Sequence, residues 1–166
     1  MGMQLIETIE VGAGGASSIE FTSIPQDGVD LLLLVSLRSS GGSSINYFEL
    51  NGDTTSSNYV SRMLTGNGAN VYSYTLNKNM VLTNYVPDTA NTFGNQSIYL
   101  SNYADSSNYQ SISLDASNEN NGTYVAGNAI TAGIWNNNAA VTSIKLQSQG
   151  SWVQYSTASL YKITPD

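Results

Sequence analysis

The sequence predicts an all-β protein, and more narrowly a two-sheet, jelly-roll-like β-sandwich that forms a single domain over residues 1–166. Apolar and polar residues alternate along most of the chain, which places one face of a strand on a core and the other in water. Clusters of Gly, Asn, Asp and Pro interrupt this alternation, and such residues form turns. No stretch of ten residues shows the 3.6-residue period of a helix.

The alternating runs and the turns between them define eleven strands in order. The first two include Ile9-Glu10-Val11 and Ile19-Glu20-Phe21, and the last two include Ile144-Lys145-Leu146 and Leu160-Tyr161-Lys162-Ile163. Turns are predicted at Gly12-Ala13-Gly14-Gly15, Pro25-Gln26-Asp27-Gly28, Gly41-Gly42, Asn51-Gly52-Asp53, Gly66-Asn67-Gly68 and Asn136-Asn137-Asn138. The predicted strands cover residues 4–11, 17–24, 29–38, 44–51, 58–65, 70–76, 95–103, 109–117, 126–134, 141–148 and 152–163.

The third strand carries the longest apolar run, Leu31-Leu32-Leu33-Leu34-Val35, which ends at Ser36. Because both of its faces are apolar, we expect a central strand that is covered on both sides. The alternative is a strand that presents an apolar strip to a partner. The alternation in the other strands selects further inward-facing positions. The predicted core residues are Phe21, Leu32, Leu34, Ile98, Leu100, Ile112, Leu114, Ile130, Ile144 and Leu146.

Residues 77–94 fit neither the strand nor the helix pattern. A long excursion of this kind caps one end of a sandwich or reaches another subunit. Its large apolar side chains are the predicted contacts, so Met80, Tyr85 and Phe93 are the candidate interface residues.

The composition excludes several kinds of chemistry. The chain has no Cys and no His, so thiolate catalysis, disulfides, the Ser-His-Asp triad and the usual zinc ligands are absent. Five Lys and Arg against twelve Asp and Glu give a net charge of −7, which disfavours nucleic acids and anionic membranes as partners. The longest apolar run is far too short to span a membrane, and residues 1–7 do not resemble a signal peptide. We therefore expect a soluble protein that is made in a cytoplasm.

Carboxylates are the remaining candidates for chemistry. Glu49 with Asp53 and Asp115 with Glu119 are possible acid–base pairs, but neither belongs to a motif, and solvated acids are the favoured interpretation. The segment from Asp115 to Gly122 places oxygen ligands at alternate positions, as the start of a calcium loop does, but it lacks the closing bidentate Glu. We therefore predict no catalytic residue, no cofactor and no metal site.

The surface chemistry instead favours contacts with other proteins. The chain contains 24 Ser, 14 Thr, 19 Asn and eleven Tyr, while only 10% of its residues are charged. Short polar side chains lose little entropy on ordering, and Tyr supplies amphipathic contact area that suits protein interfaces or sugar stacking. The alternative for each Tyr is a half-buried strand position, where Tyr is common.

Several phrases resemble small virion-associated proteins of tailed bacteriophages, especially marine and cyanobacterial phages. They span most of the chain, and none is a catalytic signature. The resembling phrases are Val11-Gly12-Ala13-Gly14-Gly15-Ala16-Ser17-Ser18-Ile19-Glu20-Phe21-Thr22-Ser23-Ile24-Pro25, Asp30-Leu31-Leu32-Leu33, Thr89-Ala90-Asn91-Thr92-Phe93-Gly94-Asn95, Ser117-Asn118-Glu119-Asn120-Asn121, Ala132-Gly133-Ile134-Trp135-Asn136 and Gln154-Tyr155-Ser156-Thr157-Ala158-Ser159-Leu160-Tyr161.

This resemblance implies a non-enzymatic β-sandwich on the outside of a virion that is assembled in a bacterial host. The first expectation is a capsid cement, or decoration, protein that binds the major capsid protein between capsomers as a homotrimer. The second expectation is a tail-fibre or tail-tip adhesin, or a carbohydrate-binding domain of the virion. Both roles use the same fold and the same polar surface, so the sequence leaves the choice open.

Overall fold

The computed structural model describes residues 2–41, 46–76, 80–81, 87, 89–119, 121 and 127–165. These residues form twelve strands and a 3-10 helix at Ser56–Asn58, with no α-helix among them. The strands are β1 (Gly2–Glu10), β2 (Ala16–Phe21), β3 (Asp30–Leu37), β4 (Tyr47–Leu50), β5 (Tyr59–Gly66), β6 (Val71–Leu76), β7 (Met80–Val81), β8 (Gly94–Ser101), β9 (Gln110–Asn118), β10 (Gly127–Trp135), β11 (Ile144–Trp152) and β12 (Thr157–Thr164).

The strands form two antiparallel sheets that pack against each other. The larger sheet has eight strands in the order β1-β12-β3-β8-β9-β10-β5-β6, and the smaller has four in the order β2-β11-β4-β7. Apolar side chains from the facing sides of both sheets form one buried cluster. This arrangement confirms the predicted all-β sandwich.

The core between the sheets follows the two-residue period of the strands. In β3, Leu31, Leu33, Val35 and Leu37 are buried, while the residues between them are not. Trp152 closes the core at the end of β11, where its buried indole N–H donates to the Leu146 carbonyl at 3.1 Å. A buried indole needs such an acceptor, because an unpaired polar group in a core is costly.

Seven of the ten predicted core residues are buried, and three predictions are wrong. The confirmed residues are Phe21, Ile98, Leu100, Ile112, Leu114, Ile144 and Leu146. Leu32 is only partly buried, and Leu34 and Ile130 are 40% and 62% exposed. All three point to the side of the larger sheet that faces away from the core, so β3 is covered on one side and not on both.

One predicted boundary is wrong, and one short strand was not predicted. The last predicted strand starts at residue 152, but Trp152 ends β11 and a turn follows it, in which Tyr155 has φ 69° and the Ser156 N–H donates to the Val153 carbonyl at 3.1 Å. The short strand β7 lies inside the stretch 77–94, which had no predicted strand.

Candidate functional site

The predicted interface of Met80, Tyr85 and Phe93 lies only partly within the described residues, so it stays a prediction. Met80 lies in β7, where its backbone pairs with Phe48 of β4. Phe93 is half-buried and receives the Arg38 guanidinium over its ring, 5.4 Å from the centroid. Tyr85 lies outside the described residues. Phe93 therefore already has a partner within its own chain.

Asp53, one of the nominated carboxylates, organises the loop between β4 and β5. Its carboxylate accepts the Trp135 indole N–H and the Asn58 amide, both at 2.8 Å, and the Thr55 backbone N–H at 2.9 Å. Partial burial raises the pKa of Asp53, but these hydrogen bonds together outweigh burial and lower the pKa to about 2. A carboxylate held ionised by three donors is a poor general acid or base near neutral pH.

Tyr59 completes this corner of the sandwich. Its ring is fully buried and stacks on Trp135 with a centroid distance of 6.5 Å. Its hydroxyl donates to the Asp53 carbonyl at 3.0 Å and accepts the Leu50 N–H at 3.0 Å. Burial, reinforced by the nearby carboxylates, raises the pKa of Tyr59 well above its usual range. The corner joins the β4–β5 loop to β10 and has a structural role.

The Asp53 contacts predict a pH-dependent contribution to stability. Because the pKa falls from 3.8 to about 2 on folding, the contribution is present above pH 3.8 and is lost as the pH falls towards 2. We expect Asp53→Asn to reduce the free energy of unfolding by about 1–2 kcal/mol near pH 7, after allowance for solvent screening. Urea unfolding of both proteins across this pH range measures the difference. The exposed-site variant Glu20→Gln is the control, and a difference for Asp53→Asn that stays constant down to pH 2 would contradict this explanation.

The first four residues of the calcium-loop-like segment from Asp115 to Gly122 lie in a strand. Residues 115–118 belong to β9, and an extended backbone cannot curl around a cation as a calcium loop does. The Glu119 carboxylate accepts the backbone N–H of Asn121. Within the described ranges, no group of three or more Asp and Glu side chains is placed to hold a metal ion.

The candidate functional site is the outer face of the larger sheet, which is the side that points away from the core. Among the described strand residues, every large apolar or Tyr side chain that is strongly exposed belongs to this sheet, and none to the smaller one. Most of them lie on the outer face, since they pair directly with other outward residues. The exposed residues that lie on the outer face are Met3, Leu5, Leu34, Val60, Leu64, Val71, Tyr99, Ile130 and Ile134.

The densest group, here named the outer apolar patch, consists of Val60, Leu64, Val71, Ile130 and Ile134. Cross-strand pairing brings these residues together, because Ile130 lies directly opposite Leu64 and Ile134 directly opposite Val60. Val71 is 71% exposed and completes the patch at the edge of the sheet. Arg62 and Ala132 lie opposite each other between these two apolar pairs. Groups of exposed apolar side chains mark surfaces that contact another molecule.

A shallow groove of about 430 Å³ runs beside the patch. Gly66 lines it, and a Cβ atom at this position would meet only the Asn70 carbonyl oxygen, at 3.8 Å. Asp115, Ser117 and Asn128 supply a carboxylate, a hydroxyl and an amide along one wall, and Ile130 supplies an apolar wall. The groove can therefore accept a protruding group that has both apolar and hydrogen-bonding parts.

The outer face carries little charge. In the neighbouring strands β3, β8, β9, β10, β5 and β6, its charged side chains are Asp30, Arg62 and Asp115. Asp30 accepts the Tyr99 hydroxyl and the Asn102 N–H, the latter at 2.8 Å, and Arg62 donates to Thr75. The Asp30 contact is the main cause that raises the pKa of Tyr99. Most of the net charge of −7 therefore lies elsewhere on the molecule.

Between the apolar regions, β8 and β9 present short polar side chains. The outward residues of this strip are Asn95, Ser97, Ser101, Ser111, Ser113, Asp115 and Ser117. A broad, flat face of apolar groups and short hydroxyls docks on another surface with little loss of side-chain entropy.

Sequence reasoning offers a partner-facing apolar strip only as the alternative for β3, because it assigns Leu34 and Ile130 to the core. A signal was present: β3, β5 and β10 carry large apolar residues at both odd and even positions. In a sheet that is covered on one side, one of these two sets must be exposed. Strands with apolar residues on both faces are therefore the sequence signal for an exposed apolar face.

Comparisons with known proteins do not extend these observations. No protein-family model matches the chain, and no curated protein matches it. One similar solved structure is an exo-inulinase from Aspergillus awamori, with 14% identity and a TM-score of 0.36 over 99% of this chain and 29% of the inulinase. Another is a protein of unknown function from Shewanella oneidensis, with 8% identity and a TM-score of 0.23 over 98% of this chain and 76% of that protein. In the part of the chain that the structure describes, no helix is long and apolar enough to cross a membrane.

Proposed function

We propose that the chain is a non-enzymatic structural protein of a bacteriophage virion, a capsid cement protein that binds the major capsid protein between capsomers. The observation that carries this proposal is the uncovered outer face of the larger sheet, with its outer apolar patch and its low charge. The resemblance of the sequence to phage virion proteins is the reason for proposing a phage head as the particle and the major capsid protein as the partner.

Repetition strengthens such a contact. A capsid presents the same surface many times, and copies that also contact each other bind as a multivalent set. The proposal therefore includes the homotrimer that the resemblance implies, located on the virion at local symmetry axes. Each copy then needs only a low affinity for the capsid, and a flat face of short polar and exposed apolar groups is suited to such a weak contact.

The groove supports one alternative, a tail-fibre or tail-tip adhesin that binds carbohydrate. Carboxylate, hydroxyl and amide groups beside an apolar wall are the groups that recognise sugars, and Asp115, Ser117, Asn128 and Ile130 supply them. We favour the cement role because the exposed apolar residues extend over several strands beyond the groove.

Co-sedimentation with purified empty heads of the phage that encodes the chain tests the proposal. The informative variant is Ile130→Lys, which places a charge in the outer apolar patch at an exposed position that folding does not need. We expect it to weaken binding by about tenfold or more, which corresponds to about 1.4 kcal/mol or more. The matched control, Ser18→Lys, adds the same charge to the outer face of the smaller sheet and should bind like the wild type.

Equal loss of binding in both variants would contradict the proposed face. Absence of wild-type binding to heads, combined with binding to glycans of the host surface, would replace the cement role with the adhesin.

A further inference from the structure

The strand β6 forms one edge of the larger sheet, and among the residues that the structure describes it has none of the features that usually protect an edge. Among the described strands it pairs only with β5, and its first five residues are exposed. The sequence Val71-Tyr72-Ser73-Tyr74-Thr75-Leu76 has no charge and no Pro. The opposite edge, β1, carries glutamates and a register shift between Leu5 and Glu7. Charges and bulges prevent edge pairing, so β1 is protected and β6 is not.

The hairpin geometry identifies the backbone groups of β6 that face the free edge. The Asn67 N–H donates to the Asn70 carbonyl at 3.2 Å, which makes this pair hydrogen-bonded. Hydrogen-bonded and non-hydrogen-bonded pairs alternate along an antiparallel ladder. The register Gly66↔Val71 and Thr65↔Tyr72 then assigns the even residues of β6 to bonds with β5. The N–H and C=O groups of the odd residues, Val71, Ser73 and Thr75, therefore point outward from the sheet.

We propose that β6 pairs antiparallel with β6 of a second copy of this chain, around a twofold axis at Ser73. In this register Ser73 lies opposite its own copy, and Val71 lies opposite Thr75 of the second copy. The odd residues then form about six backbone hydrogen bonds, two for each hydrogen-bonded pair. The larger sheet continues from one copy into the next.

The side chains favour a second copy as the occupant. Tyr72 and Tyr74 stack on each other within one chain, with centroids 6.4 Å apart, and both are exposed. In the proposed register, Tyr72 of each copy lies opposite Tyr74 of the other, which joins two aromatic pairs into a cluster of four. The strand has no charge, so two copies of an acidic protein can approach here without direct repulsion.

This contact is independent of head binding and differs from the threefold contact of the proposed trimer. A six-residue strand pair buries less than a standard interface of about 1,600 Å². The contact is therefore weak in free solution and becomes stronger between copies that are already held close together. A test must capture the pair covalently.

Single cysteines provide that test, because the chain has no Cys of its own. In Ser73→Cys, the two Cα atoms lie about 5.5 Å apart across the axis, within the range of a disulfide. In Val71→Cys, the two cysteines lie about 13 Å apart, four residues along the strand, and cannot join. Ser113→Cys, exposed in the middle of the outer face, controls for random collision. All three positions are exposed, so each variant should fold.

Mild oxidation of each variant, followed by a non-reducing gel, gives the result. We expect Ser73→Cys to form a covalent dimer at least about tenfold faster than the two controls, because its sulfurs alone meet the disulfide distance. Equal rates for Ser73→Cys and Ser113→Cys would overturn the β6 pairing, whatever the result of the head-binding experiment. Faster dimerisation of Val71→Cys than of Ser73→Cys would overturn the register.

Discussion

Replacement of Leu33 by alanine is expected to lower the free energy of unfolding by about 2–5 kcal/mol, through lost transfer energy and the cavity that remains. The same change at the next residue, Leu34→Ala, should cost less than about 1 kcal/mol, because 40% of this side chain is already exposed to solvent. Leu33 is fully buried between the sheets. The pair forms a matched test, since both are leucines in the middle of β3.

Urea unfolding of the two variants measures the difference directly. A larger loss of stability for Leu34→Ala than for Leu33→Ala would mean that β3 presents its other face to the core. The outer face would then be assigned wrongly, and the proposed docking surface with it.

The second large effect is expected at Trp135. Trp135→Ala should cost about 3–5 kcal/mol, because it empties a fully buried position that stacks on Tyr59. Trp135→Phe keeps an aromatic ring but removes the N–H that donates to Asp53, and should cost about 1–3 kcal/mol. Differential scanning calorimetry or urea unfolding gives both values.

A double-mutant cycle separates the hydrogen bond from packing. Trp135→Phe combined with Asp53→Asn should cost less than the sum of the two single changes, because both remove the same charge-assisted bond. Strict additivity of the two changes would show that the bond between Trp135 and Asp53 contributes nothing to stability.

The strands were predictable because their signals are local. Two-residue alternation and turn residues placed strands close to β1–β6 and β8–β10, and most of the predicted core is buried. The end of β11 was not predictable in this way, because Trp152 continues an apolar pattern that a turn interrupts only at Tyr155.

The face of each strand was harder to predict than its position. In β10, Ile130 is larger than Ala129 and Thr131, so a rule that buries the larger residue selects the wrong face. The buried set in β10 includes Trp135, and its two-residue period requires the small residues Ala129 and Thr131 to face inward as well. Which sheet face is covered depends on how the strands divide into eight and four, and that division is set by long-range pairing.

Prediction of the candidate site depended on the same division of the strands into two sheets. The sequence predicted a surface rich in Tyr and short polar residues, together with an interface in the stretch 77–94 that stays a prediction. The outer apolar patch is built from the β5–β6 hairpin and from β10, which lies far along the chain from it. The register Ile130↔Leu64 and Ile134↔Val60 joins β10 to β5, and Gly66↔Val71 joins β6 to β5.

A density map of the phage particle that contains this chain tests the central claim most directly. We expect density for the sandwich on the outer surface of the head, in many copies at local symmetry axes, with the outer face of the larger sheet against the major capsid protein. Density confined to the tail, or a sandwich that meets the head through its smaller sheet, would contradict it.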